Sequence, residues 1–394
     1  MTDNMLNEDN FSKDLDFLKK YTDIVVLKNN KSAVAVAPLF QGRVMTSATN
    51  ADSGNGFGWI NKKVIEKGFL SEEERKGKIE DQIYVFGGEE RFWLGPEGGQ
   101  FSLFFKPEDD FEFSNWKTPA VIDTEAFTLV SHTDHSATFE HRCELINKSG
   151  TIFKMGIGRS ISILNKASIE NIIKKKFSTN VEFVGYQSNN QITNIGDQPW
   201  IPETGLPSIW MLGMYKPSSE TTMIIPFKDG EEAILGQTVN DTYFGKVPKD
   251  YLEVKENILF FKGDGTKRSK IGVNSKRSKG IAGSYDAVGK VLTLITYNTQ
   301  EAPHGYVNSA WEHQEEPFAG DVLNAYNDGS PEPGVPPMGP FYELETSSPA
   351  AALKPNETMV HIQTTIHLQG EEQELSKIAE ATLGVSLDAI IKSL

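Results

Sequence analysis

Cysteine is nearly missing from this chain: Cys143 stands alone among 394 residues. A single thiol forms no intramolecular disulfide and leaves neither a disulfide framework nor a cysteine-based zinc site. It falls in the alternating run Thr138-Phe-Glu-His-Arg-Cys-Glu-Leu, the setting of a strand-buried thiol rather than a nucleophile. Long apolar runs are missing too. No segment approaches the ~20 apolar residues of a membrane helix, so no membrane span is expected. The opening MTDNMLNEDNFSKDLDFLKK is polar and acidic, without the apolar core of a signal peptide. The expected location is the cytoplasm, or the periplasm if the true start lies upstream. Basic residues are in deficit, 39 Lys and Arg against 54 Asp and Glu, for a formal charge of −15. That balance argues against nucleic acid, whose binding requires Lys and Arg to neutralise phosphates. Repeats of ~20–50 residues are absent, which argues against a propeller or solenoid.

What is present is a β-rich pattern. Hydrophobic residues make up 38% and aromatic residues 10% of the chain, enough for a substantial core. Phe11, Leu15, Leu18 and Tyr21 have helical spacing, with Asn10 as a cap. Residues 24–27 and 33–39 read as strands around a turn, and a third strand begins near Arg43 and enters a Gly-rich loop. Residues 59–69 suit a short helix with Lys62, Lys63 and Lys67 on its wet face, and 82–88 a strand. From Ala126 to Thr299 short alternating runs and regular turn residues dominate. Residues 160–175 fit strand or helix. Beyond Glu371 the spacing of Leu375, Ile378, Ala379, Leu387, Ile390 and Ile391 is amphipathic and helical, broken at Gly384. No linker divides the chain. The expected organisation is a helical extension over 1–22, one all-β domain over 23–370 and a helical tail over 371–394. So many strands must pack as two broad sheets or close into a barrel.

The stretch from Trp311 to Gly370 organises the functional reading. It runs from an acid-rich segment through a Pro/Gly loop to an apolar strand with Glu343 and Glu345, then to a last alternating strand. Two residues apart on a strand, Glu343 and Glu345 share a face. Side by side, two ionised carboxylates repel, which raises the pKa of one. That suits general acid–base work or glycosidic cleavage by a carboxylate pair; the alternative pairs Glu343 with an arginine and leaves Glu345 alone in a cleft.

Gln41-Gly-Arg43, the Gly-rich loop, the Gly-Pro-Glu97-Gly-Gly turn, Leu344-Glu345-Thr-Ser-Ser-Pro-Ala and the Leu-Lys-Pro-Asn-Glu357 turn before a closing strand together resemble the aldose 1-epimerase, or galactose mutarotase-like, superfamily. The full set most resembles an uncharacterised bacterial family within it. The resemblance implies a β-supersandwich of two large antiparallel sheets with a sugar cleft. It also implies an isomerase in which a Glu near the C-terminus takes the anomeric proton and a His protonates the ring oxygen. By motif, Glu345 matches the base and Arg43 the substrate-binding arginine. The Asn-His-aromatic motif of the acid is absent; the middle region reads Gly205-Leu-Pro-Ser-Ile-Trp210-Met-Leu-Gly-Met. The alternatives are therefore a non-catalytic carbohydrate-binding module, or a glycan-cleaving lyase or hydrolase relative.

Among the seven histidines, His304 and His313 lie nearest the acidic run and are the candidate acids. His132 and His135 have loop-like rather than helical metal spacing, and His361 and His367 read as satisfied strand histidines. Candidate sugar contacts are Arg43, Arg91, Glu97, Trp210, Trp311, Asp321, Asn324 and Glu343. Glu312, Glu315, Glu316, Asp321, Asn324, Asn327 and Asp328 form an oxygen-rich run that reads as a solvated loop, sugar contacts or a calcium site. It matches no calcium-loop template, so no cofactor is expected. The basic runs Lys267-Arg-Ser-Lys270 and Lys276-Arg-Ser-Lys279 read as a solvated hairpin, with a phosphate or sugar-acid contact as the sharper alternative. Neither the sugar nor the oligomeric state can be read from these residues.

Overall fold

Alternating patterns become strand over most of the chain in the computed structural model, which describes residues 10–67 and 82–394. Among the described residues three antiparallel sheets form. The first holds β1 (Val25–Asn29), β2 (Ser32–Ala37) and β3 (Arg43–Ala48) in that order. The second has five strands, with β4 (Arg91–Gly95) at one edge, followed by β9 (Ser208–Tyr215), β17 (Tyr342–Ser347), β16 (Asp321–Asn327) and β13 (Ser269–Asn274). The third has ten strands. Its order begins with β5 (Thr128–His132), β6 (Ser136–Ile146), β7 (Ile152–Ile163), β8 (Glu182–Asn194) and β18 (Thr358–Gln369). It continues through β15 (Val291–Tyr297), β14 (Ile281–Asp286), β10 (Thr221–Pro226), β12 (Ile258–Lys262) and β11 (Leu252–Lys255). The expected mainly-β sandwich is present, with the face opposite the large sheet shared between the two smaller ones.

Each strand sends alternate residues to opposite faces. Ile271, Val273, Leu323, Ala325, Tyr342 and Leu344 of the five-stranded sheet therefore pack inward against Met223, Ile225, Phe261, Ala282 and Ile295 of the large one. The other face of the large sheet is covered by the C-terminal helices Glu372–Thr382 and Leu387–Ile391, through Leu375, Ile378, Leu383, Leu387 and Ile390. Each such fully buried Leu or Ile contributes about 1.5–3 kcal/mol. The opposite face of the five-stranded sheet is largely buried too, but it carries polar and charged side chains, Arg91, Asn324 and Glu345 among them.

The inter-sheet space is not uniformly apolar. Arg159 and Glu90, both fully buried, form an ion pair at 2.8 Å. Arg159 also donates to Gly42 O and Asn190 Oδ1, and Gln363 Nε2 donates to the second Glu90 oxygen. Thr346 donates to Gln363 Oε1 and so receives a hydrogen bond from His361 Nε2, 2.7 Å away. Burial lowers the pKa of His361 to about 3, which keeps that ring neutral. Buried charges persist when paired and hydrogen-bonded on every side.

The helix Phe11–Leu18 starts at Asn10, whose side chain accepts from Lys13 N at 2.9 Å. Asn10→Ala should lower stability by about 0.5–2 kcal/mol, read as a lower denaturation midpoint with an unchanged slope. Several expectations need correction. Residues 82–88 are extended but pair only at a bridge between Gly87 and Ile60, and Tyr84 and Phe86 bury instead in a local aromatic cluster. The region 160–175 divides: β7 runs to Ile163, and a helix Lys166–Ile173 follows, capped by Asn165. The helix expected over 59–69 spans Lys62–Lys67, and positions 68 and 69 lie outside the described residues. Lys62 on it is not simply wet, because it pairs with the buried Asp14 carboxylate at 2.9 Å. The basic hairpin is not simply solvated either. Arg277 is buried, donating to Gly236 O and Lys228 O, and Lys270 is turned toward Glu345.

Candidate functional site

Register assembles the site. Across the five-stranded sheet Gly272, Asn324, Glu345, Leu212 and Arg91 form one row. Lys270, Tyr326, Glu343 and Met214 form a second, and Ser347, Trp210 and Trp93 a third. These rows lie two residues apart along each strand, so all three occupy the outward face. A carboxylate pair from one strand, an indole from a second and an ammonium from a third are thereby brought together from positions far apart in sequence.

Glu345 is the centre. Its Oε2 accepts from Trp210 Nε1 at 3.0 Å and from Lys270 Nζ at 3.0 Å. Its Oε1 is buried and has no hydrogen-bond partner. Lys270 lies over the Trp210 ring at 4.8 Å and the Tyr243 ring at 5.7 Å, so cation–π attraction adds to the ion pair. At the rim Arg268 stacks on Phe244 at 3.9 Å. Tyr243 donates to Asp321 at 2.6 Å and accepts from Asn324 Nδ2 at 3.1 Å. Gly272 is required beneath this group, because a Cβ there would lie 2.0 Å from Asp321 Oδ2.

Two further carboxyls share the field. Burial, and then the adjacent Glu345, push the Glu343 carboxyl well above its usual range. Glu97 rises to about 7, chiefly through burial, with Lys270 opposing and Glu345 reinforcing the shift. Both keep part of their surface open to solvent. The Glu97 turn is held by Glu97 N donating to Ser309 Oγ and by Ser102 Oγ donating to Glu97 O. A carboxylate fixed by an indole and an ammonium, beside two carboxyls whose pKa values burial raises, supplies the ingredients of acid–base chemistry.

The structure brings Glu345, Glu343, Glu97, Trp210, Asp321 and Asn324 into this neighbourhood. Arg91 lies in the Glu345 row but spends its guanidinium on Asp123, at 2.9 Å, and Ile122 O. Arg43 is elsewhere, buried between the Phe40 and Phe86 rings and donating to Gly87 O and Gln41 Oε1. Trp311 packs with Phe105, Phe113 and Trp116. His304 and His313 are exposed, and neither bonds Glu345. The oxygen-rich run is dispersed: Asp321 and Asn324 bond Tyr243, Asn327 bonds Asp264, and Asp328 accepts from Tyr326 and Gly339 N. Among the described residues no group of three or more His, Cys, Asp or Glu is placed to hold a metal ion. Sequence reasoning missed Tyr243 as a site residue and placed Lys270 by default in a solvated hairpin, with a phosphate or sugar-acid contact as the alternative. Lys270 did carry a signal, since it and Gly272 alternate with the apolar Ile271 and Val273 and so point away from the core.

The chain belongs to a family of unknown function (DUF6786), matched over residues 9–394. No curated protein matches it. Among solved structures it is similar to the Slr1438 protein from Synechocystis sp. PCC 6803, with 12% identity and TM-score 0.49 over 89% of this chain and 96% of that one. It is also similar to a galactose mutarotase-like protein from Lactobacillus casei ATCC 334, with 9% identity and TM-score 0.47 over 88% and 100%. A galactose mutarotase related enzyme from Lactobacillus acidophilus gives 10% identity and TM-score 0.45 over 88% and 98%.

Proposed function

We propose that the outward face of the five-stranded sheet binds a free aldose and interconverts its anomers, with Glu345 as general base and Glu97 as general acid. The observation that carries this reading is the asymmetry of Glu345. One oxygen is fixed by Trp210 and Lys270, while the other is buried without a partner. Leaving a buried acceptor unpaired costs about 1–3 kcal/mol, a cost that a substrate hydroxyl would relieve. Glu345 takes the proton from the anomeric hydroxyl as the bond between the anomeric carbon and the ring oxygen breaks. Glu97 gives its proton to that ring oxygen, and an open-chain aldehyde results. Rotation of the aldehyde and reversal of both transfers give the other anomer and restore both carboxyls. Lys270 and Trp210 keep Glu345 oriented, and the indole offers a face to the sugar ring.

The acid must be protonated to act. With Glu97 near 7, turnover should be present below that pH and fall about tenfold per unit above it. Glu97→Gln should remove this alkaline limb and lower the plateau. A pH–rate profile of anomer exchange for both proteins tests the assignment, and a limb that persists in Glu97→Gln would give the acid role to another group.

One observation favours a second reading, carbohydrate binding without turnover. The group that bonds Glu345 from β9 is an indole, which donates but cannot release a proton at neutral pH. Under that reading sugars bind the wild type while their anomerisation rate stays at the spontaneous value.

A further inference from the structure

A cavity of about 310 Å³ opens between the five-stranded and ten-stranded sheets, beside the loop after β3 and on the opposite side of β17 from Glu345. Its wall is built of rings. His367 stacks on Phe57 at 4.2 Å between centroids and meets Tyr215 edge-on at 5.6 Å, and Tyr342 closes the same wall. His367 is fixed from both nitrogens: Nε2 lies 2.9 Å from Glu89 Oε1, and Nδ1 lies 2.8 Å from Thr293 Oγ1. Ser47 donates to the same Glu89 oxygen, while Glu89 Oε2 is buried without a partner. None of this belongs to the Glu345 site, and it is more polar machinery than a packing gap needs.

We propose that this cavity is a second ligand site, for a single neutral polyhydroxylated six-membered ring, a pyranose or a cyclitol. Size is the first argument, because the volume is at the small end of the ~300–1,000 Å³ range of small-molecule sites and admits one ring. Charge is the second. Lys216 at the mouth is committed to Asp14 at 3.0 Å, and Asp286 already accepts from Ser218 Oγ and Val288 N. Among the lining residues no free cation is left for a phosphate or carboxylate, and Asp286 is not free for an amine. Composition is the third. Flat aromatic faces suit the C–H face of such a ring, while Asn55 and the Nε2 of Gln369, whose Oε1 accepts from Thr49, suit its edge hydroxyls. The inference is independent of the reaction proposed for Glu345.

The test is titration of the full-length protein with glucose, galactose and myo-inositol, following by NMR the imidazole signals of His367, which lines this cavity and lies away from the outward face. Saturable shifts of those signals by at least one ring are expected. Val291→Trp, which fills the mouth from a half-buried position, and Gln369→Leu, which removes a lining amide, should each weaken binding roughly tenfold or more. In an otherwise wild-type chain Val291→Trp should leave any Glu345-dependent turnover unchanged. His367 signals that do not move with any of the three rings, or shifts that survive both cavity variants, would overturn the proposal. Loss of turnover in the wild type would count against the Glu345 reading alone.

Discussion

Glu345→Gln is expected to slow anomerisation by roughly 10²- to 10⁴-fold, the usual contribution of a positioned general base. The amide keeps the shape of the carboxylate and can still accept from Trp210 Nε1, which now donates to it at 3.0 Å. What disappears is the proton acceptor. The loss should fall on kcat and leave KM nearly unchanged, the signature of an interaction made in the transition state. Some stability should be lost, because Glu345 is buried and paired with Lys270, but the amide oxygen can still accept from Trp210 Nε1 and Lys270 Nζ. Polarimetry on freshly dissolved single anomers measures the rate, and a melting curve confirms that the variant is folded. An unchanged rate in folded Glu345→Gln would remove Glu345 from the role of base.

The second large effect is on stability. Arg159→Met should cost about 3–5 kcal/mol, because it strands the buried Glu90 carboxylate without its partner. Burial already raises the Glu90 pKa, against the pull of Arg159, so removing the guanidinium makes the charged form costlier still. The same substitution orphans Gly42 O and Asn190 Oδ1, which Arg159 now serves. Pairing it with Glu90→Leu should recover much of the loss, since replacing both members of a buried pair by apolar groups is often close to neutral. Urea denaturation of the wild type, both single variants and the double variant measures the coupling. Additive losses would show that Arg159 and Glu90 stabilise the fold independently rather than as a pair.

Much of the local structure is legible in the sequence because it rests on local physics. Asn10 reads as a cap because its side chain has a backbone donor three residues on, and Gly384 reads as a break because only a residue tolerant of positive φ follows that helix easily. Glu343 and Glu345 are placed on one face by strand alternation alone. What is not legible is pairing at long range. Lys270 belongs to Glu345 only because β13 and β17 flank β16, and nothing near Lys270 in the chain announces a carboxylate partner. A basic run is usually solvated, and here that default hides both a site lysine and the buried Arg277. Arg43 shows the converse. Its motif points to a substrate contact, yet the structure surrounds it with two aromatic rings, the Gly87 carbonyl and the Gln41 side chain. His367 likewise reads as a satisfied strand histidine and is one, but its partner Glu89 comes from a segment that carries no signal of its own.

The most direct test of the central claim is anomer exchange itself. Two-dimensional NMR exchange spectroscopy, run on a panel of free aldoses with and without the protein, reports the rate between α and β forms under equilibrium conditions. Exchange above the spontaneous rate for at least one aldose, lost in Glu345→Gln, is the predicted result. Exchange at the spontaneous rate for every aldose, with sugar resonances that nevertheless broaden on binding, would contradict catalysis and leave the outward face of the sheet as a carbohydrate-binding surface.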